Sequence, residues 1–213
     1  MLKYYVKRSE GEEGFQRVTS PPRTGRIWIR GEMITSEEIR ALARHYDMNA
    51  NILRDVLDKN ELPRVEIRNN ALYVFVRCVT RGKHGKVTTM PVLLAMKGNL
   101  FMNITMSDES IYAHESSGVE MILHDTASLM LSTFAAVISQ YEDVMQHTAR
   151  SIHETSHRLR NHEVTNDDFI RFATVEDNLN EYKMNLGGML VVAERLKETF
   201  STNGDAEAVE DIC

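Results

Sequence analysis

The chain has 213 residues, 42% of them hydrophobic and 26% charged, the balance of a folded globular protein rather than a disordered one. That length fits one domain, or one domain with a helical extension, and is enough to bury a sizeable core. A net charge of -6 with no basic patch argues against a nucleic-acid partner. An acidic surface suits cations, but it does not separate a cation binder from the many acidic enzymes.

The N-terminal run Met1-Leu2-Lys3-Tyr4-Tyr5-Val6-Lys7-Arg8 lacks the apolar core of a signal peptide. Residues 2–8 and 15–18 read as an edge hairpin around Gly11–Gly14, and Pro21-Pro22 breaks the chain before a strand at 27–30. Thr35 and Glu38 have capping-box spacing, each able to satisfy an orphan amide at a helix start. The helix behind them carries Ile39, Leu42 and Ala43 on one face. Asn49 or Asn51 can cap a second short helix, and Pro63 closes the segment after it.

In residues 71–79, Leu72, Val74, Val76 and Cys78 point one way and Tyr73, Phe75 and Val79 the other, as in a strand buried on both faces. Strands at 87–96 and 100–106 follow tight turns at Arg81-Gly82-Lys83-His84-Gly85 and Lys97-Gly98-Asn99, so the three should form consecutive antiparallel hairpins. The inserted helices must cover at least one side of such a sheet. Residues 1–124 are therefore expected to form a layered α/β domain with a mixed, partly antiparallel sheet.

Residues 125–202 carry the clearest periodicity. Met130, Phe134, Val137, Tyr141, Val144, Thr148, Ile152, Thr155 and Leu159 alternate steps of three and four almost without a break. Phe172, Val175, Leu179, Tyr182, Leu186, Met189, Ala193, Leu196 and Phe200 do the same. Such seams pack one helix on another, and the short polar link at 160–165 makes the pair antiparallel. Each helix should be about 50 Å long and project from the domain. Gly187-Gly188 lies mid-helix at a propensity cost of about 2 kcal/mol, which marks a close approach to a neighbour or a kink. Residues 203–213 read as the start of a further helix.

Cys78 and Cys213 form neither a disulfide framework nor a CxxC pair, so the cytosol is the default compartment. Nowhere do about 20 apolar residues run together, so no membrane span is expected. His153-Glu154-Thr155-Ser156-His157 is a literal HExxH, whose histidines share a helix face and could hold Zn²⁺. Both flank the apolar seam, so a solvated face with adventitious zinc binding is the expected reading. A protease would need a third ligand, and His162 and Glu163 are the nearest. Gly-rich phosphate loops are absent, the Asn103-Ile104-Thr105 sequon falls in a strand, and the methionines read as core.

One ordered series carries more information than any of these. Ile27-Trp28-Ile29, Thr35-Ser36-Glu37-Glu38, Asn51-Ile52-Leu53-Arg54-Asp55-Val56-Leu57, Leu62-Pro63-Arg64-Val65-Glu66 and three apolar strands follow one another, with Thr88-Thr89-Met90-Pro91 at the head of one strand. The series resembles the cytoplasmic domain of the CorA family of divalent-cation transporters. The resemblance implies a non-enzymatic function: a homopentameric inner-membrane channel for Mg²⁺, and also Co²⁺ or Ni²⁺, with Zn²⁺ carried by a relative. It also implies an α/β domain on the cytoplasmic side, a long helical hairpin, and a stalk helix leading to two membrane helices.

The family's Gly-Met-Asn pore motif has no match here, since Met48-Asn49, Met102-Asn103 and Met184-Asn185 follow neither Gly nor an apolar span. The chain is thus expected to be a piece of the soluble domain or a natural truncation. The family's regulatory Mg²⁺ sits between subunits. Asp55 matches the ligand position in the short helix and Asp211 the stalk-helix carboxylate, while Arg54 departs from the acidic neighbour often found there. Two other readings follow from the residues: a soluble metal-binding or scaffold protein that oligomerises through its helical hairpin, and a zinc hydrolase using His153, Glu154 and His157.

Overall fold

The computed structural model describes residues 1–8, 14–81, 86–108, 125–160 and 165–201, with the backbone alone at 80, 81 and 158–160. Its strands join into one seven-stranded sheet. β1 (Leu2–Lys7) pairs antiparallel with both β2 (Gln16–Val18) and β3 (Arg26–Gly31). β4 (Arg64–Arg68), β5 (Ala71–Arg81), β6 (Val87–Lys97) and β7 (Leu100–Thr105) form the expected antiparallel meander. The halves meet where β3 runs parallel to β7, with Trp28 opposite Phe101, giving the order β2-β1-β3-β7-β6-β5-β4. Asn69 and Asn70, both at positive φ, make the two-residue turn between β4 and β5. That backbone matches strand twist, and Asn tolerates it.

The capping box at Thr35 forms with both halves in place. Glu38 N donates to Thr35 Oγ1 at 3.2 Å and Thr35 N to Glu38 Oε2 at 3.0 Å, which opens α1 (Ser36–Tyr46). Asn49 caps α2 (Ala50–Asp55), its Oδ1 accepting from the amides of Asn51 and Ile52. These helices lay Ile39, Leu42, Ile52 and Leu53 on one sheet face, against Ile29, Phe75, Leu93 and Met102.

The opposite face is covered by α3 (Thr126–Arg160) and α4 (Asn166–Ser201). Thr126 Oγ1 donates to Gly98 O at one end of β6, and Tyr141 Oη donates to Arg77 O toward the other, which fixes the course of α3. α4 runs back the opposite way. Its Asn178 Oδ1 accepts from Val87 N at 2.9 Å where β6 begins, and its later residues follow the sheet. The pair is antiparallel, as the short link predicts.

The two seams differ from expectation in what they face. Phe134, Val137, Tyr141, Tyr182, Met189, Leu196 and Phe200 are buried in the same apolar cluster as Trp28, Val74, Val92 and Phe101 of the sheet. Phe172 and Leu179 are exposed. A period near 3.5 says that one stripe is buried but not what buries it; here much of it is sheet. Direct helix–helix contact includes Tyr141 against Tyr182 and a 3.1 Å hydrogen bond between Thr148 and Tyr182. Burial pushes the Tyr141 phenol above its ordinary pKa, so it stays neutral and keeps donating to Arg77 O. Among the described residues no helix is long and apolar enough to cross a membrane. The Arg81–Gly85 turn, apart from Arg81, and the tail 203–213 lie outside the described residues.

The glycine pair is resolved by its surroundings. A Cβ on Gly188 would stand 3.0 Å from Pro63 Cγ, whereas one on Gly187 would meet nothing within 4 Å. Close approach therefore explains Gly188 and not Gly187. We expect Gly187→Ala to raise stability by about 0.8–1 kcal/mol through helix propensity alone. Gly188→Ala should gain clearly less, because the Pro63 ring must move. Equal gains in urea denaturation would contradict the packing.

Candidate functional site

Asp55 is the last residue of α2, where the negative end of the helix disfavours a carboxylate unless a cation answers it. Arg64, the first residue of β4, supplies that cation. Its Nη2 donates to Asp55 Oδ2 at 2.7 Å, its Nη1 bonds the Glu61 carboxylate, and its Nε lies 3.8 Å from Glu66 Oε2. The guanidinium also stacks over the Phe75 ring, 4.0 Å from the centroid. Three carboxylates thus converge on one guanidinium, leaving a locally negative site that is half open: the Asp55 side chain is 43% exposed and that of Arg64 31%. Arg54 turns away and bonds Asn51.

Among the described residues no three His, Cys, Asp or Glu side chains lie close enough to hold a metal by themselves. Mg²⁺ keeps several waters and needs only one or two carboxylates. Asp55, hard and solvent-reaching, fits that limited role if the cation displaces Arg64. Asp211 falls outside the described residues.

His153, Glu154 and His157 are exposed on the distal half of α3, as the seam predicts. Glu154 lines an open groove of about 460 Å³ with Asp143, His147, Arg150, Ser151 and Arg171, and neither HExxH histidine lines it. His162 and Glu163 lie outside the described residues. The sequon is internal: Asn103 is buried and its Oδ1 accepts from Trp28 Nε1 at 2.9 Å. Cys78 is a buried thiol in β5.

One buried network was passed over in reading the sequence, because Arg77 stands in a strand otherwise apolar on both faces. Arg77 donates from Nε to Thr89 Oγ1 (2.8 Å), from Nη2 to Thr89 O (3.0 Å) and from Nη1 to Glu61 O (2.6 Å). Thr89 Oγ1 donates in turn to Glu181 Oε1 of α4 at 2.6 Å, which also accepts from Asn185 Nδ2 at 3.0 Å. The available signal was an arginine in the middle of that apolar strand together with a polar pair, Glu181 and Asn185, four apart on an apolar helix stripe.

Comparison with solved structures gives the fold a context. The complete CorA magnesium transporter of Methanocaldococcus jannaschii is similar with a TM-score of 0.82 and 18% identity, over 99% of this chain and 68% of that one. The soluble domain of the same organism's CorA gives a TM-score of 0.84 at 16% identity, over 99% and 86%. The cytoplasmic domain of ZntB from Vibrio parahaemolyticus gives 0.63 at 6% identity, over 99% and 88%. At these identities the likeness is one of fold. No curated protein sequence matches. The model of the CorA-like Mg²⁺ transporter protein family matches residues 24–212, nearly the whole chain, and the chain belongs to that family.

Proposed function

We propose that this chain is the metal-sensing, regulatory domain of a CorA-like Mg²⁺ transporter, set on the cytoplasmic side of the inner membrane. The observation that carries the reading is the half-exposed Asp55 carboxylate in a chain of this family, paired with the Arg64 guanidinium. In a homopentamer, Mg²⁺ would bridge Asp55 to Asp211 of the partner subunit and hold a closed, symmetric arrangement. Loss of the ion leaves like charges facing each other, the subunits splay, and the pore opens. Co²⁺ shares the oxygen-ligand chemistry closely enough to be the second ion carried.

The test is Mg²⁺ flux through the intact transporter in vesicles whose internal Mg²⁺ is varied. Wild type should close as internal Mg²⁺ rises, and Asp55→Ala with Asp211→Ala should stay open. Undiminished inhibition in the double variant refutes the assignment.

A further inference from the structure

The contacts around Asp55 and those around Thr89 form one line. Asp55 bonds Arg64, Arg64 bonds the Glu61 side chain, and the Glu61 carbonyl accepts from Arg77 at 2.6 Å. Arg77 bonds Thr89 at 2.8 Å, and Thr89 bonds Glu181 of α4 at 2.6 Å. The line therefore starts on a half-exposed carboxylate and ends inside a helix on the opposite face of the sheet. Every step has at least one charged partner, and five of the six residues bear charge, so each is stronger than a neutral pair.

Two details make the line mechanical rather than incidental. Glu61 is used twice, its carboxylate by Arg64 and its carbonyl by Arg77, so a change in either pull moves the same residue. The same short segment touches α4 again, where Pro63 packs on Gly188. At the far end Asn185 Oδ1 is buried without a hydrogen-bond partner. The Nδ2 of Asn185 donates to Thr89 Oγ1 at 3.4 Å, so the same side chain ties α4 to the sheet at the end of the line.

We propose that the ion pair at Asp55 sets how firmly α4 is seated on the sheet, acting through Arg64, Glu61, Arg77 and Thr89 as positioning residues. Its use in ion sensing rests on the reading of Asp55 given above; the link itself needs no metal. A cation at Asp55 would free Arg64, relax Glu61 and loosen or reseat α4.

The experiment is amide hydrogen exchange of residues 181–192 in the full chain, with EDTA present. Asp55→Asn should speed exchange there by about three- to fivefold, the scale of a partly exposed ion pair read through local opening. In a Thr89→Val background that acceleration should fall by at least half, and Thr89→Ser should restore it. If Thr89→Val does not fold, Glu181→Ala cuts the same line at its helix end. An Asp55→Asn effect that is absent, or undiminished when the line is cut, overturns the inference. Because no metal is added, these outcomes are separate from a failure of Asp55 to bind Mg²⁺, which would sink the sensing reading alone.

Discussion

Trp28→Ala is expected to destabilise the protein by about 3–5 kcal/mol, the range for emptying a large aromatic site in a core. Trp28 is 1% exposed and stands at the parallel joint between β3 and β7, so it ties the two halves of the sheet together. Its ring packs on Tyr5 at 5.0 Å between centroids and edge-on to Phe15 at 5.9 Å. Arg30 lies over the same ring, and the indole N–H is bonded to Asn103. Trp28→Phe keeps most of the volume but strips that partner from buried Asn103, and should cost about 1–3 kcal/mol. Because this is the chain's single tryptophan, unfolding is best followed by far-ultraviolet circular dichroism in urea. A loss below 1 kcal/mol for Trp28→Ala would show that the joint holds without it.

Arg77→Met should cost about 2–4 kcal/mol, since it removes three hydrogen bonds from a buried cation and leaves buried acceptors behind. The Glu61 and Thr89 carbonyls lose their donor, and Glu181 of α4 keeps its bond to Thr89 without the charge behind it. Arg77→Lys should not rescue, because one ammonium cannot reach Thr89 and Glu61 with the geometry of a fork. Denaturation midpoints of the two variants within about 0.5 kcal/mol of wild type would contradict the network.

What was legible in the sequence was local. The capping box of Thr35 and Glu38, the apolar face of α1 and the alternation along β5 as far as Cys78 each depend on residues a few positions apart, and each formed as read; Val79, expected with Tyr73 and Phe75, joins the cluster of Cys78 instead. The parallel joint of β3 and β7 unites residues some seventy positions apart, and no local pattern encodes which strands will meet. The turn at Asn69-Asn70 carries no glycine, so its left-handed backbone was not signalled. The helical seams gave the buried stripe correctly but not its partner, since sheet and helix both reward the same apolar spacing.

The candidate site was legible only in part. Asp55 was marked by its place in an ordered series, but its counter-ion Arg64 is nine positions away and was visible only once α2 and β4 were folded together. Arg77 was hidden by its apolar neighbours, and Asp211 lies outside the described residues.

Titration of the ¹³C-labelled chain with Mg²⁺, read at the aspartate carboxylates by NMR, addresses Asp55 itself. Saturable shifts should appear at Asp55, vanish in Asp55→Asn, and tighten about fivefold in Arg64→Gln, where the competing charge is gone. If wild type and Asp55→Asn titrate alike, or if Arg64→Gln binds no better, Asp55 is not a metal ligand held in check by its arginine.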